Sequence, residues 1–191
     1  MTVYETERLV VRLWTGAQDD LDRVTDIYTR QEVTRWLPPF DGFDAARAVE
    51  TWRAFHERDR RYGSWAVQVR ATGAVAGTVL FRPIPGGGGE VEVGWHLHPD
   101  SWGNGYATEA ARGAVRRGFA AGLPEVYALT MPGNEASMAV CRRLGMSHLG
   151  RTRRFFDLEA ELFRLSGEDV EPHGPIETEA ARRLAEDLDP E

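Results

Sequence analysis

Residues 95–110 read WHLHPDSWGNGYATEA and pass from strand to turn to helix within one short run. Upstream, Val91, Val93, Trp95 and Leu97 alternate with Glu90, Glu92, Gly94 and His96. A period of two predicts a strand with one apolar face. Downstream, Ala107, Ala110, Ala111, Ala114, Val115, Gly118 and Phe119 recur at i, i+3, i+4. That spacing predicts a helix of about three turns. Between them, Gly103 and Gly105 carry no side chains, so backbone N–H groups there can approach a ligand closely. A helix starting near Tyr106 aims its free N–H groups and positive dipole end at the same place. The run is therefore either a linking turn or an anion cradle suited to a pyrophosphate, and spacing alone does not choose. The dinucleotide fingerprint G-x-G-x-x-G/A fits poorly. Thr108 occupies its third position, and the following strand ends at Thr130 without an acidic residue to hold a ribose.

Working outward, residues 8–13 (RLVVRL) predict a short strand. Leu21, Val24 and Tyr28 recur at helical spacing behind Asp19 and Asp20, and Leu37-Pro38-Pro39 stops that helix. Asp44 is the expected N-cap of a second helix, with Phe43 and Ala48 as a staple pair. Residues 65–69 and 75–81, separated by Ala71-Thr72-Gly73, predict a hairpin. Residues 126–130 predict a strand. Asn134 caps a helix that runs to Leu144 and closes at Gly145. Residues 149–156 and 162–165 predict a closing antiparallel pair. The order β-α-α-β-β-β-α-β-α-β-β implies a mixed α/β fold: one sheet with helices on its faces, not a doubly wound parallel sheet.

The chain has 191 residues, 42% of them hydrophobic, enough for one domain with a sizeable core. Cys141 is its one cysteine, which excludes an internal disulfide framework and a cysteine-rich zinc site; no metal is expected. All 23 basic residues are Arg, so a Walker A phosphate loop, which needs Lys, is excluded. Residues 168–191 hold nine acidic residues against Arg182 and Arg183 and carry the whole net charge of -7. A neutral domain (residues 1–167) with an acidic tail argues against nucleic-acid binding, which needs a basic face. The tail shows a weak apolar stripe at Ile176, Ala180, Leu184 and Leu188, consistent with a short helix. No run approaches a membrane span, and residues 1–13 lack an apolar signal core, so no membrane association and a cytoplasmic location are expected. Arg in place of Lys, with abundant Ala and Gly, suggests a GC-rich bacterial genome.

The chain resembles the GNAT-superfamily N-acetyltransferases. Within them it is similar to the group that includes bacterial enzymes acetylating the N-termini of ribosomal proteins. The superfamily's Q/R-x-x-G-x-G/A motif falls on Trp102-Gly103-Asn104-Gly105-Tyr106-Ala107, with Trp at the first position. Further matches are Glu7-Arg8-Leu9, Val33-Thr34-Arg35-Trp36-Leu37-Pro38, Val91-Glu92-Val93-Gly94-Trp95, Asn134-Glu135-Ala136-Ser137 and Arg143-Leu144-Gly145-Met146. Together they span residues 7 to about 166. The resemblance implies a mostly antiparallel twisted sheet whose two central parallel strands splay apart. It implies acetyl-CoA as cosubstrate, with Trp102, Gly103, Asn104, Gly105, Tyr106, Ala107 and Thr108 around the pyrophosphate. The pantetheine arm would then pair with the backbone at Leu97 and His98, and Asn134 would form the opposite wall. The partner is an amine acceptor, a protein N-terminus or a small molecule, and homodimers are frequent in the family.

The reaction needs an amine that has shed its proton, a donor for the oxyanion and help for the departing thiolate. Glu92 is the candidate base, placed by alternation opposite Val91, Val93 and Trp95. The plainer reading is a solvated Glu on an outer face. His96 shares that face as a candidate relay. Ser137 is the candidate donor, one turn beyond Asn134; ordinary helix-start polarity is its alternative. Many relatives carry a Tyr acid further along this helix, where Cys141 stands here, and an inert buried thiol is the expectation. Asp157 is a candidate acceptor contact, or a surface carboxylate. Trp36, Phe40, Trp52 and Phe155 are aromatic candidates for the acceptor pocket or the core. Two other functions remain beside the leading one: aminoglycoside-type antibiotic acetylation, and a catalytically weak acyl-CoA-binding regulatory domain.

Overall fold

The computed structural model describes residues 1–156 and 158–169. One sheet holds β1 (Thr2–Glu5), β2 (Leu9–Arg12), β3 (Gly63–Val69), β4 (Val75–Pro83), β5 (Val91–Leu97), β6 (Glu125–Thr130), β7 (Ser147–Thr152) and β8 (Ala160–Ser166). Their spatial order is β1-β2-β3-β4-β5-β6-β8-β7. Every neighbouring pair is antiparallel except β5 and β6. The α-helices are α1 (Gln18–Thr29), α2 (Gln31–Thr34), α3 (Ala45–Arg58), α4 (Tyr106–Ala120) and α5 (Glu135–Arg143). This is the mixed, mostly antiparallel architecture expected.

Alternation along the strands divides the interior into two cores. Trp65 and Val67 of β3, with Val91 and Val93 of β5, face Ala110, Ala111, Ala114 and Val115 of α4 and Cys141 of α5. Ala66, between the first two, turns the other way and packs with Trp14, Val24, Ile27, Tyr28 and Val49 under α1 and α3. Each large side chain fully buried this way contributes roughly 1.5–3 kcal/mol. The caps fall where expected. Asp44 accepts from the Arg47 N–H at 3.0 Å, Asn134 Oδ1 accepts from the Ser137 N–H at 3.2 Å, and Gly145 takes φ 82° beyond α5.

Three expectations on element boundaries are corrected. The first helix does not run to Leu37; Arg30 adopts φ -77° and ψ 126°, which ends α1 and restarts the chain as α2. The N-terminal β1 was absent from the expected order. It is short and has no buried residue, and it is held by pairing with β2 and by Tyr4, whose hydroxyl donates to Ala110 O at 2.6 Å. The seventh strand spans Ser147–Thr152 and stops before Phe156, because the chain bends away at residues 154–156. The boundary proposed at residue 167 falls just after β8; the tail from residue 170 onward, with its weak stripe, lies outside the described residues, as does Asp157.

The feature that positions the site is the parallel pair. β5 and β6 meet only at Glu92 and Tyr127 and part beyond that point. A cleft of about 2030 Å³ opens there, larger than a single drug-sized ligand needs and long enough to reach the turn before α4.

Candidate active site

The turn before α4 is open backbone. Gly103 and Gly105 both sit in the left-handed region, at φ 77° and 79°. Gly105 is the N-cap of α4 and offers no side-chain cap. The first intrahelical bond comes from the Glu109 N–H to Gly105 O at 3.1 Å, so the N–H groups of Tyr106, Ala107 and Thr108 have no partner within the helix. Asn104 braces the turn by donating from Nδ2 to Ser101 O and Trp102 O at 3.2 and 3.0 Å. These donors and the helix dipole form a cradle for a doubly charged anion.

Arg8 completes the cradle; in the sequence it opens a predicted strand and falls in a short family match, and neither marks it as a binding group. Its backbone N–H and Nε both donate to the Glu109 carboxylate, at 2.8 and 2.7 Å, and Nη1 donates to Asn104 O at 3.0 Å. Thr6 Oγ1 donates to the same carboxylate at 2.6 Å. The guanidinium lies 5.2 Å from the centre of the Tyr106 ring. A fixed cation thus stands at the rim of the turn. Arg112, Arg116 and Arg143 also line the cleft, which supplies positive charge in a chain without Lys.

The gap between the parallel strands carries the next set of groups. The His98 N–H donates to Ala76 O on β4 at 2.9 Å. Amides alternate sides along a strand, so the backbone groups of Trp95 and Leu97 face the gap instead. Leu97 O already accepts from Trp102 Nε1 at 2.9 Å, which leaves its N–H. His98 therefore does not lie along the gap as expected. Its backbone N–H belongs to the β4 ladder, and its ring bridges Asp26 (2.8 Å) and Asp100 (2.9 Å). Trp95, not singled out for this in the sequence, takes its place beside Leu97. The hydroxyls of Thr108 and Thr130 both belong to residues lining the cleft, are buried, and find no hydrogen-bond partner among the described residues. Buried hydroxyls are rarely left so. Their unspent capacity, the open amides and the left-handed glycines fit a polar, phosphate-bearing chain laid along the cleft.

Glu92 stands at the point where the strands part. It is 7% exposed, and its Oε1 accepts from Arg82 Nε at 3.0 Å across the β4–β5 pair. Burial raises its carboxyl pKa, and the Arg82 charge and hydrogen bond oppose the rise without cancelling it. The plainer reading of a solvated outer-face carboxylate is thus overturned by its burial. Glu90, placed on the same face by alternation, lies outside β5 and is tied to Arg154 and the Gly88 N–H. His96 Nδ1 is 2.9 Å from the Tyr28 hydroxyl. Desolvation, helped by Arg82, pushes its pKa down to about 4, so the ring is neutral at pH 7.

Ser137 is half-buried in the first turn of α5 and lines the cleft with Asn134. Cys141 is 0% exposed within the main core, and burial pushes its thiol up to about 12, an inert side chain away from the cleft lining. Trp36 and Phe155 line the cleft. Trp52 packs on Trp14 in the second core, and Phe40 is 45% exposed; neither lines the cleft. No cluster of metal-binding side chains occurs among the described residues.

The acetyltransferase (GNAT) domain family matches residues 8–147, and the chain belongs to this family. It is an N-acetyltransferase. Among curated proteins it is similar to the uncharacterized N-acetyltransferase YoaA of Bacillus subtilis (strain 168). The two are 28% identical over 157 residues, covering 80% of this chain and 87% of that protein. Its fold is that of the acetyltransferase from Agrobacterium tumefaciens str. C58, at a TM-score of 0.70 and 24% identity over 85% of this chain and 92% of the other. It is also that of Mycobacterium smegmatis RimJ in complex with CoA-disulfide, at 0.65 and 20% over 94% and 88%. No helix among the described residues is long and apolar enough to cross a membrane.

Proposed function

We propose that this protein moves an acetyl group from acetyl-CoA to a primary amine by direct attack within a ternary complex, with Glu92 as general base. The observation that carries this reading is the position of Glu92. A buried carboxylate sits where β5 and β6 part, in a cleft that also reaches the anion cradle. Acetyl-CoA supplies an activated thioester. Gly103, Gly105 and the first amides of α4 would hold its pyrophosphate, with Arg8 adding charge at the rim. The gap-facing backbone of Trp95 and Leu97, the Thr108 and Thr130 hydroxyls and Asn134 would flank its arm.

In the transfer the acceptor nitrogen attacks the thioester carbon. A C–N bond forms, the C–S bond breaks and the electron pair leaves on sulfur. Glu92 takes the amine proton and returns it to solvent, and its raised pKa makes it a better base than an exposed carboxylate. The Ser137 hydroxyl is the candidate donor to the departing sulfur, since the Cys141 thiol is sealed in the core. Thiol release is measured in the Glu92→Gln protein. Turnover is expected to fall about 10²–10³-fold with calorimetric acetyl-CoA affinity little changed, and to recover partly at high pH, where more acceptor is neutral. Full activity at neutral pH, or affinity lost in step with turnover, would remove Glu92 from the role of base.

A further inference from the structure

Arg82 and Glu92 face each other across β4 and β5, and one bond joins them, from Nε to Oε1. That single bond leaves two things unspent. Among the described residues, no acceptor meets Arg82 Nη1 or Nη2, and no donor meets Glu92 Oε2. The Arg82 side chain is 34% exposed and lines the cleft beside Glu92. A guanidinium edge and a carboxylate oxygen thus stand side by side on a rigid strand pair. Their charges are the complement of an ammonium next to a carboxylate. The same cleft, which also carries Glu32 and Arg35, supplies apolar side chains for a substrate: Trp36, Leu37, Leu80, Phe155 and Phe156.

We propose that the acceptor is a free α-amino acid with a bulky apolar side chain, its carboxylate held by the Nη edge of Arg82 and its amine presented to Glu92. The inference rests on the reading of Glu92 as base and adds the substrate class. The chemistry separates it from other amines. A polyamine would bring a second cation toward Arg82 and be repelled. A peptide N-terminus offers only a neutral carbonyl where the free acid offers two charged oxygens, the geometry that a guanidinium binds in bidentate fashion. The carboxylate also anchors the molecule, so that the amine arrives at Glu92 in one orientation.

The test compares L-phenylalanine, L-phenylalaninamide, phenethylamine, glycine and a dipeptide with N-terminal phenylalanine in a thiol-release assay with acetyl-CoA. L-phenylalanine is expected to exceed the amide, the amine and the dipeptide in kcat/KM by ~10- to 100-fold, the value of one charge-assisted contact. Glycine should fall behind for lack of an apolar side chain. Arg82→Gln lowers all rates through its effect on Glu92, but only loss of the carboxylate contact lowers the ratio of acid to amine, which is expected to approach one. If that variant does not fold, Arg82→Lys keeps the charge, loses the planar edge and should shrink the ratio. Amide, amine or dipeptide used as well as the acid, or a ratio indifferent to Arg82, would overturn the proposal. A second readout is independent of turnover. Calorimetry of the Glu92→Gln protein with saturating CoA should show tighter binding of L-phenylalanine than of phenethylamine, and equal binding overturns the proposal. That preference retained without thiol release in any arm would support the clamp and count against the proposed transfer.

Discussion

Gly105 joins sterics and electrostatics in one residue. It holds φ 79°, and a β-carbon there would lie 3.4 Å from Arg8 Nη2. Gly105→Asp would strain the turn by roughly 1–2 kcal/mol and set a carboxylate against the cation that the phosphates need. Acetyl-CoA affinity is expected to fall at least ~10-fold by calorimetry in a protein that still folds; unchanged affinity would move the cofactor away from this turn. A second prediction concerns protons. A base works only when ionised, and burial raises the Glu92 carboxyl, so kcat should fall with decreasing pH above the ordinary carboxylate range. Because Arg82 lowers that pKa, Arg82→Gln should shift the limb to higher pH. His96 is already neutral, so His96→Gln should leave the limb in place. A limb that follows His96 instead would make the imidazole the titrating base. Alternation in residues 91–97 places Glu92 on the strand but says nothing of its burial, because burial depends on partners distant in sequence, as the Tyr28–His96 contact on the same face illustrates.

α4 carries the cradle at one end and the main core along its length. Its inner face is unusually small, with Ala110, Ala111, Ala114 and Gly118 buried against the sheet. A β-carbon on Gly118 would meet the Phe81 ring, and one on Gly113 the Tyr4 ring. Gly118→Val is expected to cost about 1–3 kcal/mol from overpacking, read as a lower denaturation midpoint. A variant as stable as the parent would mean that the helix can ride away from the sheet. This element was legible because a run of Ala at i, i+3, i+4 has one interpretation, and the Asn134–Gly145 helix was legible through its cap and its stop. Arg30 was not: no Pro or Gly marks the break, and α1 ends there because the chain must turn to seat Val33 in the second core. Nor was the separation of His98 from the cleft, since which way an amide points depends on register with β4 and not on the residue itself.

At the scale of the molecule, the sheet formed by the described residues is two antiparallel halves, β1–β5 and β6–β8, joined among those residues through a single parallel bridge. The second half ends at Ser166, and the Gly167 N–H donates to Pro124 O at 2.8 Å. A chain ending at Gly167 loses all the net charge with the tail and is expected to keep its fold and its acetyl-CoA affinity. A large drop in melting temperature would instead assign the tail a docking role. The bridge between the halves has a consequence for solvent. In the free protein the Trp95 and Leu97 amides look into the open gap, while the His98 amide is locked in the β4 ladder. Deuterium should therefore enter at Trp95 and Leu97 early and at His98 late. Added acetyl-CoA should slow the first two and leave the third unchanged, so alternate residues of one strand become a ruler for where the bound thioester lies.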